Sequence, residues 1–357
     1  MKTYIKFLIS GFLKSFLNIF LIMTALVFIL NILKEIEFFN NIDVSPWYPV
    51  YLSLLGSPSI IFEMFPFIFL ISTQFFFIKL FENDEIQIFK YTGLKNITIL
   101  KILSLLVFFM GLLIITLYYN LSSGLQSYYL ELKNQYTKND EYLAVINKNG
   151  LWIKDIVDGE MAIINSSKID GNFLKNSFIT KFDENYDPII SIISDKIDIR
   201  NNKWLIYDAQ VFEGNIGKNL EILEFKSNFN LKRIKSMFSN LSSLSLLELM
   251  DLKKNYKSLN YSTTEVEIQI QKIISYPIYL IVMTILSSVI MFNAKKFKRT
   301  TFKVATGLFF SVIIYYLNNF FNVLGASERL PVISSVWFPI VSLIFINIMV
   351  LYKFNEK

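Results

Sequence analysis

The sequence predicts an α-helical membrane protein in which six transmembrane helices flank an inserted all-β domain, three before it and three after it. The chain has 357 residues, of which 53% are hydrophobic and only 18% are charged, whereas soluble domains are about one quarter charged. Six apolar runs reach the length of roughly 20 residues that a bilayer span requires. Between the third and fourth runs, short apolar stretches alternate with turn residues, a pattern typical of β-strands.

Two residue types on which much protein chemistry depends are missing. The chain contains no cysteine and no histidine, which excludes disulfides, thiolate metal sites and Ser-His-Asp triads. The sequence has no phosphate-binding loop, and no two carboxylates have the spacing of a catalytic pair. We therefore predict no catalytic residue, no metal site and no bound cofactor. The net charge of +6 is interpreted as membrane topology, so no nucleic-acid partner is expected.

Five of the six apolar runs contain no charged residue, and the second is broken only by Glu63. This second run also contains Pro58 and Pro66, which predict one long, kinked helix. Glu63 leaves two interpretations open, since an ionisable residue within a membrane is usually functional, but a position near a kink or an interface would make it structural. The predicted spans cover residues 15–33, 51–78, 102–130, 273–294, 304–327 and 330–352.

Basic residues predict the orientation of these spans. Lys2, Lys6 and Lys14 precede the first span, and a further group of Lys and Arg residues lies within residues 295–303. The positive-inside rule then places both termini in the cytoplasm and residues 131–271 on the other side. The stretch 34–37, with Lys34, Glu35 and Glu37, follows the first run where a signal peptide would have small residues and a cleavage site. The first run is therefore predicted to be an uncleaved span.

The segment between spans three and four predicts a β domain followed by a helical return. Short β-like runs occur at residues 142–146, 150–154, 161–164, 189–193, 204–207 and 220–225. Turn residues separate them at 149–150, 158–159, 170–171 and 201–202. This spacing favours an all-β sandwich or a related roll. The predicted organisation is a first transmembrane half (1–130), the β domain (131–240), a helical return segment (241–272) and a second transmembrane half (273–357).

The loop between spans two and three predicts a short amphipathic helix over residues 84–93. Asp84 is expected to cap its start, and Gly93 to end it in a left-handed conformation. Its apolar residues are Ile86, Ile88 and Phe89. The pattern alone leaves two interpretations open, a surface helix or a coupling helix that docks in a groove of a cytoplasmic ATPase.

The order of several short motifs resembles that of the LptF/LptG family of lipopolysaccharide export permeases. The stretch from Asp84 to Gly93 is similar to the family's S-E-L…R-A-x-G pattern, and residues 58–66 resemble its P…E-L-P second span. Residues 149–155 match the start of its periplasmic domain. Further matching motifs lie at residues 182–185, 203–205, 276–277, 306–307, 331 and 337–339. The resemblance covers essentially the whole chain and is closer to LptG than to LptF.

This resemblance implies a permease subunit of an ABC transporter that extracts lipopolysaccharide from the bacterial inner membrane. The lipid would pass to a protein bridge in the periplasm, where the inserted β domain would be jellyroll-like. The implied partners are an LptF-like second permease, an LptB-like ATPase dimer, and LptC-like and LptA-like periplasmic proteins. ATP would be bound by the ATPase, so the chain itself would be neither an enzyme nor a cofactor-binding protein.

The resemblance also implies candidate site residues. The helix at 84–93 becomes the coupling helix, whose ATPase-coupling residues are Glu85, Ile86, Phe89 and Gly93. Lys34, near the end of span one, and Lys133, after span three, are the expected contacts for lipid phosphates. Asn31 lies where relatives have lysine, so the match to the family's lipid-contacting residues is only partial.

Three alternatives remain beside this interpretation. The chain would be the LptF paralogue of the same complex if the closer resemblance to LptG does not hold. A signalling or scaffold protein with an extracytoplasmic β domain would share the topology. A membrane-embedded enzyme is disfavoured, because the spans carry few acids and the sequence has no histidine or cysteine.

Overall fold

The computed structural model describes residues 3–136, 151–157, 160–183, 186–214, 216–231, 233–234, 240–258, 261–293 and 300–355. The chain forms two compact units. One comprises Met1–Gln126 together with Thr264–Lys357, and the other comprises Ser127–Thr263. The first contains most of the long apolar helices, and the second contains the β domain.

Six helices in the described part of the chain are long and apolar enough to cross a membrane, which confirms the predicted class. They are called spans one to six in chain order: α1 (Thr3–Phe39), α2 (Tyr48–Glu82), α4 and α5 (Asn96–Leu113 and Asn120–Asn134), α7 (Thr264–Asn293), α8 (Thr300–Ala326) and α9 (Val332–Asn355). Two shorter helices are α3 (Glu85–Tyr91), between spans two and three, and α6 (Leu246–Ser258), before span four.

Aromatic side chains fill the contact between spans one and two. Phe16 packs against Phe69 with ring centroids 4.8 Å apart, and Phe20 stacks on Phe65 at 5.8 Å. Phe12 is fully buried in the same layer. Helices in lipid gain little from the hydrophobic effect and associate through close packing, so these rings hold span one on the bundle.

Spans two and four are parallel neighbours. The Ser287 hydroxyl donates a hydrogen bond to the Leu70 carbonyl at 2.8 Å. Farther along both helices, the rings of Phe77 and Phe292 have centroids 4.9 Å apart. The residue numbers of the contacting pairs increase in the same direction on both helices, so the two spans are parallel and stay in contact over several turns.

Span three contains a π-helical segment, Ile114–Tyr119, between α4 and α5. From this segment, Tyr118 donates its hydroxyl to the Pro58 carbonyl at 3.2 Å, and the Tyr119 ring lies 4.9 Å from that of Phe62. A π-helical turn is wider than an α-helical one and occurs often at functional positions. Here it places two tyrosines against span two.

Two glycines allow close approach between spans. A Cβ atom at Gly111 would lie 2.9 Å from the Pro277 Cα, and one at Gly307 would lie 2.1 Å from the amide nitrogen of Gln74. Gln74 is fully buried, and this nitrogen donates to the Lys303 carbonyl at 3.0 Å. Span three therefore approaches span four closely at Gly111, and span five approaches span two closely at Gly307.

Six antiparallel strands form one sheet whose order follows the chain. They are β1 (Leu151–Val157), β2 (Glu160–Asp170), β3 (Phe173–Phe182), β4 (Pro188–Asp198), β5 (Lys203–Glu213) and β6 (Ile216–Lys226). Five of them coincide with predicted β-like runs, and β3 was not among the predicted runs. The predicted run at 142–146 and the turns at 149–150 and 158–159 lie outside the described residues.

A line of irregular positions, here called the crease, crosses this sheet. Regular pairing is interrupted at neighbouring positions on consecutive strands, namely Ser167, Asn176, Asp195, Asp208 and Glu221. Asn176 and Asp208 have positive φ angles of 46° and 47°. Beyond the crease, the buried side of β5 changes from even-numbered to odd-numbered residues. Such irregularities bend and twist the strands that carry them, so the sheet folds along this line.

The two edges of the sheet are joined through Asp155. This carboxylate is fully buried. It accepts hydrogen bonds from the Ser227 hydroxyl (2.7 Å), the Asn228 backbone N–H (3.0 Å) and the Asn228 side-chain amide (2.9 Å). Asp155 belongs to β1, whereas the two donor residues follow β6. The sheet is therefore rolled, and a single rolled sheet favours the roll over the sandwich among the predicted arrangements.

The return to span four is helical, as the pattern after residue 241 predicts. A 3₁₀ turn, Leu241–Ser243, comes first. α6 then begins with a capping box, because the Ser245 backbone N–H donates to the Glu248 carboxylate at 2.8 Å and the Glu248 N–H donates to the Ser245 hydroxyl at 3.3 Å. The helix of span four starts at Thr264, so it includes residues 264–272.

Candidate functional site

The short helix α3 starts without the predicted side-chain cap. Asp84 has a φ angle of 55°, and its side chain makes no capping hydrogen bond. Its Oδ1 instead accepts from the Gln87 side chain at 3.1 Å, while its carbonyl accepts the N–H groups of Gln87 and Ile88. Asp84 is therefore at the N-cap position, as predicted, but its carboxylate binds the Gln87 side chain and does not cap the backbone.

The end of α3 agrees with the prediction. Gly93 has a φ angle of 79°, in the region that glycine enters without steric penalty. The Leu94 N–H donates to the Phe89 carbonyl at 2.9 Å, and the Gly93 N–H donates to the Lys90 carbonyl at 3.0 Å. These two bonds define a Schellman motif. The left-handed conformation predicted for Gly93 is confirmed.

The two faces of α3 carry different pairs of apolar residues. Ile86 is buried, and Phe89 packs edge-on against Phe7 of span one with ring centroids 6.0 Å apart. Ile88 is 57% exposed and Tyr91 is 87% exposed. Two of the predicted ATPase contacts, Ile86 and Phe89, therefore hold the helix on the bundle. The outward apolar surface is formed by Ile88 and Tyr91, which sequence reasoning did not select.

Glu85 lies half-buried in the first turn of α3. Its carboxylate accepts a hydrogen bond of 3.4 Å from the Asn83 side chain. This position is close to the positive end of the helix dipole, which favours a carboxylate. Glu85 thus stands at the start of the helix whose outer face carries Ile88 and Tyr91.

The predicted lipid contacts have different environments. Lys34 is exposed on span one. Asn31, one turn earlier, is buried and donates its amide to the Ser53 carbonyl at 3.2 Å. Asn31 therefore serves packing between spans one and two.

Lys133 is almost completely buried. Its ammonium donates to the Tyr129 hydroxyl at 2.9 Å and lies 5.3 Å from the centre of that ring. The two predicted lysines belong to different compact units. Lys34 is accessible for an ionic contact, whereas Lys133 is engaged with Tyr129.

Two charged residues that were not among the predicted site residues, Glu63 and Lys272, lie on the neighbouring spans two and four. Glu63 is exposed at the surface of span two, and Lys272 is half-buried on span four. Next to Glu63, the Phe62 carbonyl accepts a hydrogen bond from the Tyr276 hydroxyl of span four. Pro66 lacks the N–H that this carbonyl would otherwise accept, and that missing donor was the sequence signal for a polar contact here.

A metal centre does not emerge from the described part of the chain, where no group of three or more acidic residues is arranged to hold an ion. The charged residues instead lie at three places. These are the start of α3, the end of span one and the neighbouring spans two and four, while a further charged residue, Lys133, lies buried at the end of span three. Such a distribution offers surfaces for a protein partner and for a charged lipid.

Comparison with known protein families finds one match that spans both transmembrane halves and the β domain. The matching family is described as "Lipopolysaccharide export system permease LptF/LptG", and the match covers residues 6–353. No curated protein sequence matches the chain. The predicted resemblance is thereby confirmed at the level of the family. With its six apolar helices and inserted β-sheet, the chain belongs to the LptF/LptG family of lipopolysaccharide export permeases and is a multi-pass inner-membrane protein.

Proposed function

We propose that this permease is one half of an ABC transporter that extracts lipopolysaccharide from the inner membrane and passes it to a periplasmic protein bridge. The observation that carries this proposal is the family match over residues 6–353. The arrangement of three spans, a β domain and three further spans supports it. An LptF-like permease would complete the membrane part, and a dimer of an LptB-like ATPase would bind the ATP.

In this proposal α3 is the coupling helix. Its inner residues Ile86 and Phe89 fix it to spans one and two, so a push on its outer face is transmitted to the bundle. Its outer residues Ile88 and Tyr91 offer an apolar contact of the kind that fills a pocket on a partner. Glu85 adds a carboxylate beside them for a cation of the ATPase.

The β domain would contact LptC-like and LptA-like proteins through an edge strand. At β1, the Tyr261 hydroxyl accepts the Lys154 N–H at 2.8 Å and donates to the Lys154 carbonyl at 3.2 Å. The Asn228 side chain also donates to the Ile156 carbonyl at 2.7 Å. These contacts cap part of the β1 edge. The side chains of β6 are almost all exposed, which favours β6 as the edge that a partner strand would join.

Lipid phosphates would meet Lys34 and Lys133 in this scheme. We expect Lys34→Glu to reduce export more than Lys34→Gln, because a carboxylate repels the lipid phosphate. Lys133→Glu also replaces the buried ammonium that donates to Tyr129 with a buried carboxylate, so it should additionally lower stability. Export by both Glu variants at the wild-type rate would make these lysines structural.

The proposal is tested by co-expression of the tagged chain with the other candidate subunits. We expect a second six-span permease and an ATPase to copurify, and the complex to move lipopolysaccharide to an acceptor protein only with ATP. A chain that purifies without either partner would contradict this function. The assignment to LptG is tested by complementation, since an LptG protein should rescue cells depleted of LptG and should not rescue cells depleted of LptF.

A further inference from the structure

Tyr261 joins the return segment to the outer edge of β1, the first strand of the described sheet. Its hydroxyl accepts the Lys154 backbone N–H at 2.8 Å and donates to the Lys154 carbonyl at 3.2 Å. In an antiparallel sheet, alternate residues of a strand direct both backbone groups toward the neighbouring strand or both away from it. Lys154 is of the second kind. One hydroxyl therefore satisfies both backbone groups of an edge residue.

The Tyr261 hydroxyl is positioned by the end of α6. The Tyr261 ring is half-buried, and its centroid lies 6.0 Å from that of Tyr256 on α6. The Tyr261 backbone N–H donates to the Tyr256 carbonyl at 2.9 Å. Ring and backbone are thus fixed to the same residue, so a shift of this segment carries the hydroxyl with it.

Lys154 directly precedes Asp155, whose carboxylate joins β1 to residues 227–228. This line of contact is here called the rim. On the other side of Asp155, the Asn228 side chain donates to the Ile156 carbonyl at 2.7 Å. Three consecutive residues of β1 are therefore bonded to groups that follow β6 in the chain. Without Tyr261, only the contacts of Asp155 and Ile156 would hold this stretch of the edge.

The bonds from Tyr261 suit a contact that opens and closes. Only the two hydrogen bonds of one hydroxyl break when Tyr261 withdraws, whereas β1 remains paired with β2 along its length. A single hydrogen bond makes a modest net contribution to stability, because water replaces the lost partner. Withdrawal of Tyr261 therefore costs far less than separation of the strands.

Only two residues separate Tyr261 from the helix of span four, which starts at Thr264. The three peptide links between them extend over at most about 11 Å. The Thr264 hydroxyl donates at 3.1 Å to the carboxylate of Glu328, which lies between spans five and six. The start of span four is thus tied to that turn. A connector this short leaves little slack, so a displacement of the start of span four is expected to pull on Tyr261.

We propose that Tyr261 is a latch through which span four controls the rim of the β domain. With span four at rest, the hydroxyl holds β1 at Lys154 and the rim stays closed. When the start of span four moves away, the hydroxyl leaves Lys154, and β1 is free to part from residues 227–228. This inference goes beyond the proposed export function, on which only the ATP-driven movement of span four rests.

The first test measures hydrogen exchange at single-residue resolution in the full chain in detergent. Tyr261→Phe keeps the ring and removes the hydroxyl. The Lys154 N–H should then exchange about tenfold faster, the effect expected of one lost hydrogen bond. The Asn228 N–H, which donates to Asp155, should also exchange faster because the rim is loosened. Wild-type exchange at Lys154, or faster exchange at Lys154 with none at Asn228, would overturn the proposal.

Two controls belong to this measurement. Tyr186→Phe alters an exposed tyrosine between β3 and β4 and should leave exchange at Lys154 and Asn228 as in wild type. The Ile199 N–H, which donates to the Asn172 carbonyl at 3.1 Å in the same domain, should exchange equally in all variants. A change there would show general destabilisation of the domain.

The second test uses the complex assembled with its ATPase. Exchange is compared between the nucleotide-free complex and the complex trapped with ATP and vanadate, in which the Lys154 and Asn228 N–H groups should exchange faster. A flexible Gly-Ser-Gly-Ser segment inserted between Ser262 and Thr263 lengthens the connector. It should abolish this response and leave nucleotide-free exchange unchanged. The same insertion after Gly171, in the turn between β2 and β3, is the matched control and should keep the response.

The outcomes separate the latch from the proposed function. A complex that hydrolyses ATP and exports lipopolysaccharide, but shows no change in exchange at Lys154, overturns the latch alone. A response that survives insertion into the connector also overturns it, because span four is then not its source. The insertion keeps every native side chain, so it tests the coupling even if Tyr261→Phe folds poorly. A chain that assembles with no ATPase overturns the proposed function, while exchange in Tyr261→Phe still decides whether the hydroxyl closes the rim.

Discussion

The Tyr276 hydroxyl donates a hydrogen bond to the Phe62 carbonyl, which Pro66 deprives of its normal intrahelical donor. Span four thus repairs the hydrogen-bond defect that a proline creates in span two. Buried backbone carbonyls need such partners in a membrane, where water is absent. The same two residues stack their rings, so one tyrosine provides both the donor and the packing at the carbonyl that Pro66 leaves without a donor.

Tyr276→Phe should therefore lower stability by about 1 kcal/mol, since hydrogen bonds inside membrane proteins are worth roughly this much. The ring stack remains in this variant, so only the donor is lost. The measurement is the thermal unfolding midpoint of the full chain in detergent. Pro66→Ala restores the missing N–H, and in that background the cost of Tyr276→Phe should shrink. Equal costs in both backgrounds would contradict the repair. Tyr315→Phe, at an exposed position on span five, is the matched control.

Gly307→Ala should destabilise the contact between spans two and five by about 1–3 kcal/mol, the usual cost of overpacking a core. The added Cβ would displace the buried Gln74 amide from the Lys303 carbonyl. Gly124→Ala is the matched control, because a Cβ there meets nothing within 4 Å. Gln74→Ala should rescue much of the loss in a double variant. A Gly307→Ala chain that unfolds at the wild-type temperature would show that the contact between spans two and five accommodates the added Cβ without loss of stability.

The two faces of α3 should separate binding from stability. Ile88→Glu places a charge on the outer face and should weaken ATPase binding about tenfold or more, as for a residue central to an interface, without changing the unfolding midpoint. Ile86→Ala should instead lower the free energy of unfolding by about 2 kcal/mol or more and have the smaller effect on ATPase binding. Affinity for the purified ATPase and thermal unfolding are measured for each variant. If Ile88→Glu binds normally, the outer face is not the docking surface.

The β domain should lose stability in acid through Asp198. Arg200 donates from Nη2 to Oδ2 at 2.6 Å and from Nε to Oδ1 at 3.1 Å, and this holds the pKa of Asp198 below its ordinary value. A carboxyl whose pKa is lower in the folded state stabilises the fold above the ordinary Asp pKa of about 4. That contribution disappears as the pH falls toward the folded pKa.

The test compares Arg200→Gln with wild type in unfolding experiments on the full chain between neutral pH and about pH 3. Wild type should show the steeper loss below about pH 4. Lys203→Gln, which removes the exposed ion pair with Glu224, should follow the wild-type curve. Parallel curves for wild type and Arg200→Gln would show that the Asp198 pair contributes nothing to acid stability.

The six spans could be predicted from the sequence, because a run of about 20 apolar residues is typical of a transmembrane helix and rare elsewhere. The sequence was insufficient for the orientation of α3. On a helix of two turns, Ile86 with Phe89 and Ile88 with Tyr91 are both spaced three residues apart. Spacing alone does not decide which pair faces the bundle, and only the packing of Phe89 on Phe7 settles it.

β3 was missed for a different reason. Its Asn176 adopts a positive φ angle, so the side of the strand that is buried changes within the element, from Leu174 before it to Ser177 and Ile179 after it. Alternation of apolar and polar residues is the evidence for a strand, and the irregular position removes it. Tyr276 was likewise not predicted as a hydrogen-bond donor, because it is one of many aromatic residues in the spans. Its role is visible only in the structure, where its hydroxyl lies against the Phe62 carbonyl that Pro66 leaves without a donor.

The crease and the Asp155 contact together limit how the β domain moves. Strands β2 to β6 continue through the crease, and each is paired with its neighbours among these strands on both sides of it, so the halves of the sheet cannot slide past each other. The rim near Asp155 cannot part unless this carboxylate gives up three hydrogen bonds at once. The rolled sheet is therefore closed at that rim, and a partner or ligand that enters between β1 and the segment after β6 must first break these bonds.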